Sequence, residues 1–451
     1  MIYEHARHRT SRGPRTLRPL GHLHAILRDG LPASMRDAWE RYGDLACLRV
    51  GARLLYVVAA PEHVQHVLIT RRENYTKNAH RARPLIGFGL PASEGALWAR
   101  QRKLLQPFFL ARTMDGYFGP MRCAVDRAAA RWRRFARRGL PVDLSDDALL
   151  IALDVITTAL TGADLTDALA QLQGSIRVAV DYVSQRRHLV RVPAFLPSSR
   201  NLAFRRALAE LDAFVASITA DARAGSYPGS LIARWLELVD DGAMSAVQLR
   251  DEIVTLILAG HETSARSLAW TLYLLARHPD ARDRLERELD ERFADGPPTA
   301  AALRERSYLA QVVHESLRLY PPNWAFPREV AADDEIDGVR LLAGSAVMIC
   351  PYYSHRHPDY WDRPDDFVPE RFERGVASAS RIKGAYYPFG VGPRTCTGNH
   401  FALLELQLAL ASLLRQFQAE LVPGALITPE FAVALRPRGG LWMTVRPRGG
   451  A

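Results

Sequence analysis

A single helix about 33 residues long is written between Ser245 and Arg277. Ser245 opens a capping box, Ser-Ala-Val-Gln, with Gln248 at the third helical position, and apolar residues recur until Arg277-His-Pro stops the run. At 1.5 Å per residue the helix extends roughly 50 Å. A rod of that length must cross the whole molecule, so the rest of the chain has to pack around it. Its middle reads Leu258-Ala-Gly-His-Glu-Thr-Ser264, which sets a glycine, an acid and two hydroxyls in an otherwise apolar stretch. Gly260 costs about 1 kcal/mol of helix propensity relative to Ala, and its missing side chain leaves room for a flat ligand or substrate against the backbone. Thr263 can bond its hydroxyl back to the preceding turn, and Glu262 beside it offers a proton reachable through water. The alternative, a tolerated glycine and a surface glutamate, carries about equal weight on this segment alone.

The flanking sequence says what surrounds the rod. From Trp98 to about Arg277 the pattern is overwhelmingly helical, broken at Pro107, Gly139-Leu-Pro141, Pro193 to Pro197 and Pro228-Gly229. Before it, Leu31, Pro32 and Met35 open a helix reaching Tyr42, and two β-rich runs, Ala46 to Val50 and Leu54 to Ala59, read as a hairpin. After Pro321-Pro322 come short extended runs, a long helix from Cys396 to about Leu421, and a strand pair near Phe431 to Val445. The expected fold is mainly α with small β-sheets. At 451 residues the chain exceeds the ~250–300 at which a single core usually stops growing. No repeat and no Gly/Ser-rich or charged linker divides it, so residues 21–451 are expected to form one interlocked domain behind a flexible lead-in of residues 1–20.

Lys+Arg 59 against Asp+Glu 49 leaves a net charge of +10. The arginines are interspersed with acids, which reads as a solvated surface rather than a nucleic-acid face. Cys47, Cys123, Cys350 and Cys396 form no CxxC pair, which excludes a disulfide framework or a Cys-rich zinc module and fits reduced thiols in the cytoplasm. No run approaches ~18 consecutive apolar residues, and the first thirty residues lack the apolar core of a signal peptide, so no membrane anchor is expected.

Two further segments carry chemistry-bearing side chains. Glu315 and Arg318 lie three apart on an apolar helix ended by Pro321-Pro322, hence on one face. Their neighbours Val312, Val313, Leu317 and Leu319 imply burial, where each charge needs further partners, and Arg371 in Val368-Pro-Glu-Arg-Phe372 is the candidate third member. The most specific segment is Tyr387-Pro-Phe-Gly-Val-Gly-Pro-Arg-Thr-Cys-Thr-Gly-Asn-His-Phe-Ala402. Gly390, Gly392 and Gly398 permit unusual dihedrals and close backbone approach, and Phe389 supplies apolar cover. A helix starting at Cys396 would aim its N-terminal N–H groups at the sulfur and favour a thiolate, while Arg394 adds a cation suited to a carboxylate. Such a sulfur can be a nucleophile, a zinc ligand, a haem ligand or an inert thiol. No base stands nearby for a nucleophile, and no second Cys/His pair joins His400 for zinc. An inert thiol leaves three glycines and an arginine unexplained.

Together these segments resemble the haem-thiolate monooxygenases of the cytochrome P450 family, soluble bacterial type. Phe389-Gly-x-Gly-x-Arg-x-Cys-x-Gly398 is similar to that family's haem-binding signature and Ala259-Gly-x-Glu-Thr263 to its oxygen-activation segment. Glu315-x-x-Arg318 with Pro369-Glu-Arg-Phe372 resembles its structural triad, and Trp98-x-x-x-Arg102 a helix whose side chains reach a haem propionate. The resemblance implies the P450 fold, with haem b (iron protoporphyrin IX) between the central helix and the Cys396 loop. It implies Cys396 as axial ligand, Trp98, Arg102, Arg328 and Arg394 as propionate partners, and Ala259, Gly260, Phe389 and Gly398 as further cofactor contacts. Thr263 is then the hydroxyl that steers protons during oxygen activation, with Glu262 the adjacent acid.

The same resemblance places a substrate pocket among residues 81–95, 178–195, the front of the central helix, 323–326 and the turn near Leu435. Val178, Val180, Val183, Ile253, Leu256, Trp324 and Phe326 are its apolar candidates, Asn323 its polar one, and Arg186, Arg187 and Arg191 candidate carboxylate contacts at the mouth. The implied reaction is hydroxylation of a small lipophilic substrate, a fatty acid, terpenoid or other secondary metabolite, with O2. No GxGxxG fingerprint is present, so electrons are expected from a separate ferredoxin or flavodoxin and its NAD(P)H-dependent reductase. The competing reading is a non-catalytic scaffold that binds haem or a lipophile; intact Glu262 and Thr263 argue against it.

Overall fold

The computed structural model describes residues 13–14, 20–77, 79–184 and 196–448. They fall into two compact units, one comprising residues up to 78 with 314–396, the other 79–313 with residues from 397 onward.

The first unit is built on a five-stranded sheet in the order Leu45–Val50, Arg53–Val58, Ala346–Ile349, Phe326–Val330, Tyr75–Thr76. The hairpin expected from the sequence is present, paired from Leu45↔Val58 to Val50↔Arg53, and Gly51 adopts φ 62° at its turn. Arg53–Val58 then pairs in parallel with Ala346–Ile349, so the sheet joins the chain's beginning to its last third. Tyr56, Val58, Val347 and Ile349 bury the sheet's apolar side. Trp361, Tyr360 and Phe372 pack around Ala385 as a second cluster under the segment leading to Cys396.

The second unit is mainly helical. Its central helix runs Ala246–Arg277, and Ser245 Oγ accepts the Gln248 N–H at 3.1 Å, the expected cap. The Leu144–Thr161 helix packs along it with nearly every residue buried, followed by Thr166–Ser184 and Ser199–Arg223. Trp270 of the central helix donates its indole N–H to the Leu435 carbonyl at 2.9 Å, fastening the two-stranded hairpin of Pro429–Phe431 and Leu435–Pro437 to the rod. A three-stranded sheet orders Val142–Asp143, Trp442–Pro447 and Phe417–Leu421.

Two boundaries differ from the sequence expectation. The helix expected from Cys396 to about Leu421 is Asn399–Leu414, and Phe417–Leu421 is a strand paired with Trp442–Pro447. Phe417 and Ala419 are buried and their neighbours less so, the period-2 pattern of a strand with one covered face. No Gly or Pro marks the junction. The expected last strand pair is also split: Leu435–Pro437 pairs with Pro429–Phe431, while Trp442–Pro447 pairs with Phe417–Leu421 and Val142–Asp143. The expected lead-in, residues 1–20, lies almost wholly outside the described residues. Among the described residues no single helix is long and apolar enough to cross a membrane; Leu144–Thr161 and Thr166–Ser184 pass such a test only as a pair bent by 116°.

Candidate functional site

Cys396 and Cys123 are exposed, whereas Cys47 and Cys350 are buried, and burial pushes the Cys47 thiol up to about 12. The loop that presents Cys396 is closed by its own backbone. Gly390 N–H donates to Tyr387 C=O at 2.9 Å, Thr395 N–H to Gly392 C=O at 3.0 Å, and Cys396 N–H to Phe389 C=O at 2.9 Å. Gly392 adopts φ 76°, and a Cβ there would stand 2.6 Å from the Leu68 carbonyl oxygen, so only glycine fits. One sequence expectation needs correcting. The helix starts at Asn399, not Cys396, with Gly398 at its N-cap at φ −88°, so the Cys396 N–H is engaged by Phe389 and Gly398 holds no unusual dihedral.

Behind the loop stands a buried polar chain. Tyr387 N–H donates to Nε2 of His355 at 2.9 Å, and His355 Nδ1 lies 3.3 Å from the Arg318 carbonyl. Acceptance at Nε2 assigns the ring proton to Nδ1. Burial, then the Arg318 charge, push the His355 pKa down to about 3, so the ring is neutral at any working pH. Arg318 grips Glu315 with two prongs, Nε to Oε2 at 2.7 Å and Nη2 to Oε1 at 2.9 Å, both side chains having 0% exposure. Arg371 Nε reaches Glu315 Oε1 at 3.2 Å, and Arg318 Nη1 donates to the His355 and Pro364 carbonyls. The expected triad is assembled, and His355 connects it to the first residue of the Cys396 loop, a link that no spacing in the sequence reveals. In the same unit, Arg328 is 7% exposed and lies 5.4 Å over the Phe326 ring, and Arg394 is half-buried in the Gly392–Arg394 turn.

In the helical unit, Leu256, Ala259, Gly260 and Thr263 remain partly open although most of the central helix is buried. Spacings of three and four put them on one face, an open stripe at the middle of the rod. Thr263 Oγ1 donates to the Ala259 C=O at 2.6 Å, the expected back-bond. Next to it, Ser264 donates to Glu405 Oε2 at 2.6 Å; Glu405, on the Asn399–Leu414 helix, is buried, which raises its pKa to about 8. Gly260 acts otherwise than expected. A Cβ there would meet Ile156 Cδ1 at 3.0 Å, so its bareness lets the Leu144–Thr161 helix approach the rod, leaving its backbone on the stripe. Glu262 projects about 100° around the helix from Thr263 and lines a polar cavity of about 340 Å³. Burial raises its pKa. Trp98 and Arg102 lie one turn apart on Gly95–Leu105, both half-buried.

The expected pocket residues divide. Leu256 is on the stripe, Phe326 is half-buried and Asn323 exposed. Ile253, Trp324 and Leu435 have 0% exposure and line no open surface; each is core, Leu435 beneath the Trp270 indole. Val178 is exposed, Val180 lines the polar cavity and Val183 is half-buried, whereas Arg186, Arg187, Arg191 and the rest of 185–195 lie outside the described residues. Sequence reasoning missed two acids. Asp251 accepts the Phe88 N–H at 2.8 Å and Glu252 the Leu90 N–H at 3.1 Å, fastening the 87–93 segment to the central helix. Burial raises Glu252 to about 7. The only available signal was a pair of adjacent acids facing two glycines, Gly87 and Gly89, whose Cβ atoms would lie 2.0 Å from Asp251 Oδ2 and 2.1 Å from Thr255 Oγ1.

Among the described residues no group of three or more His, Cys, Asp or Glu could hold a metal ion. One thiol donor, as the Cys396 loop offers, suits a metal that arrives in a macrocycle supplying its other ligands. The family model described as Cytochrome P450 matches residues 12–442. The chain is 34% identical to cyclooctatin synthase of Streptomyces melanosporofaciens, over 94% of this chain and 93% of that protein. It is 31% identical to pentalenene oxygenase of Streptomyces avermitilis, over 93% of each. Its fold is similar to the crystal structure of the heme domain of a cytochrome P450DA mutant, with a TM-score of 0.84, 25% identity and 97% of both chains covered.

Proposed function

Because the chain belongs to the cytochrome P450 family, we propose that it hydroxylates a lipophilic, carbocyclic small molecule with electrons from a separate ferredoxin or flavodoxin and its NAD(P)H-dependent reductase. It is a cytochrome P450 oxidoreductase with haem b as its cofactor. Haem held by a thiolate supplies reductive activation of O2 and transfer of one oxygen atom to a C–H bond.

The observation that carries the reading is the exposed Cys396 thiol on a loop whose shape is fixed by backbone bonds and by His355. Cys396 would hold the iron, and Arg328, Arg394, Trp98 and Arg102 the propionates. Thr263 presents its hydroxyl proton on the open stripe, held against the Ala259 carbonyl until it is needed. Glu262, whose burial makes it keep a proton closer to neutral pH than a surface glutamate, resupplies that hydroxyl. Leu256 and Ala259 make the rest of the stripe apolar, which suits a substrate held by shape. The relatives' names, cyclooctatin synthase and pentalenene oxygenase, support a carbocyclic substrate. The net charge of +10 suits an acidic electron carrier.

The test is a binding-spectrum screen of the holoprotein against terpenes, fatty acids and aromatic metabolites, reading the Soret shift that reports water displacement from iron. Carbocyclic lipophiles should give the largest shifts at the lowest concentrations. Shifts from strongly polar compounds alone would refute the substrate class.

A further inference from the structure

Glu262 turns from the open stripe toward the polar cavity, and most charges around that cavity already have partners. On the Thr166–Ser184 helix, Arg177 pairs with Asp146 at 2.9 Å; on the hairpin, Arg436 pairs with Glu430 at 3.0 Å; Asp143 Oδ1 caps the Leu144–Thr161 helix through the Ser145 N–H at 2.9 Å. Asp181 and the neutral His261, whose pKa burial lowers to about 3, complete the titratable groups lining it.

Arg266 is only partly partnered. It is 7% exposed, one turn beyond Glu262 on the central helix, and donates Nη1 to Ser145 Oγ at 2.7 Å. Its Nε has no hydrogen-bond partner among the described residues and stands 4.0 Å from Glu262 Oε1. A buried donor left without an acceptor costs about 1–3 kcal/mol, so stability does not explain this arginine. Gln173 Nε2 and the ring nitrogens of His261, buried and likewise without a hydrogen-bond partner among the described residues, line the same cavity. Unpartnered polar groups beside a carboxylate are groups that a water can bridge, and 4.0 Å is beyond the reach of a direct hydrogen bond.

We propose that Arg266 is a positioning residue for Glu262: it keeps the carboxyl turned into this cavity and sets how readily the carboxyl gives up its proton, so that solvent resupplies Glu262 from the cavity side. The cavity reaches solvent at Arg177 and Asp146, whose side chains are 61% and 50% exposed. The proposal rests on the reading of Glu262 as the acid partner of Thr263. Burial raises the Glu262 pKa, and Arg266, followed by Arg436, opposes that rise while Asp181 adds to it.

The experiment is an infrared pH titration of the full-length holoprotein, taking as the Glu262 signal the protonated-carboxyl band that disappears in Glu262→Gln. Arg266→Met should move the midpoint of that band to higher pH, and Arg266→Lys should return it most of the way. Arg266→Met should also raise the solvent isotope effect on turnover and lower the share of reducing equivalents recovered in product several-fold, with haem content unchanged. If the Met variant does not fold, Arg266→Gln, which can keep a hydrogen bond to Ser145, is read by the same band. An unmoved midpoint in the folded neutral variant overturns the positioning role, whatever happens to activity. A moved midpoint with coupling unchanged in both the Arg266 variant and Glu262→Gln overturns instead the reading of Glu262 as the acid.

Discussion

Glu405→Gln should stabilise the protein relative to the parent as pH rises, because Glu405 holds a proton in the folded state that the unfolded chain releases. The side chain is 3% exposed, and among the described residues its one hydrogen bond is with the Ser264 hydroxyl at 2.6 Å. Burial raises its pKa from 4.5 to about 8, and the Ser264 bond opposes only part of that rise. For a carboxyl raised in this way the stabilising contribution is complete below 4.5, declines as pH rises, and is gone above about 8. At about 1.36 kcal/mol per pH unit, the decline between pH 5.5 and 8.5 amounts to about 3 kcal/mol. Glutamine has the same shape and no charge to bury, so the variant lacks this slope. Urea unfolding of both holoproteins at pH 5.5, 7.0 and 8.5 isolates the effect, since every other titrating group cancels in the difference. The gap in favour of the variant should widen by about 3 kcal/mol across the series. Parallel stability curves would refute the claim that Glu405 is neutral when folded.

Cys396→Ala should abolish the red-shifted Soret band of the reduced, CO-bound protein while leaving the circular dichroism spectrum unchanged, because the loop is closed by backbone bonds. Thr263→Ala should divert reducing equivalents into peroxide with haem content intact; unchanged coupling would exclude its role in proton delivery. Gly260→Ala forces a methyl to within 3.0 Å of Ile156, an overpacking cost of about 1–3 kcal/mol that exceeds or offsets the helix-propensity gain of about 1 kcal/mol. Adding Ile156→Val should then raise the melting temperature of the Gly260→Ala variant.

Features held within one stretch of sequence were legible in advance. The Ser245 cap, the Thr263 back-bond and the glycines at 390 and 392 follow from local stereochemistry, and Glu315 with Arg318 from helical spacing. What depended on approach from elsewhere was not. The direction of the Gly260 Cβ is meaningful only once Ile156 is known to lie opposite it, and Ile253 and Leu435 read as pocket lining until neighbouring elements bury them. The helix expected as far as Leu421 shows the same limit: pairing with Trp442–Pro447, far along the chain, makes Phe417–Leu421 a strand. Asp251 and Glu252 resemble a solvated helix face until the backbone N–H groups of Phe88 and Leu90 arrive against them. The polar cavity is the extreme case, assembled from three helices and a hairpin that no motif connects.

The Cys396 loop takes its shape from the chain itself, with its turns closed by the Gly390, Thr395 and Cys396 N–H groups and its entry fixed by His355. Ordering a residue's backbone costs roughly 1–2 kcal/mol, and for this loop that entropy is lost during folding rather than at the moment of cofactor capture. The direction in which the Cys396 sulfur is presented is thus set by the fold of the segment that carries it. A change that opens one of these turns would therefore alter where the Cys396 sulfur stands without touching the cysteine itself.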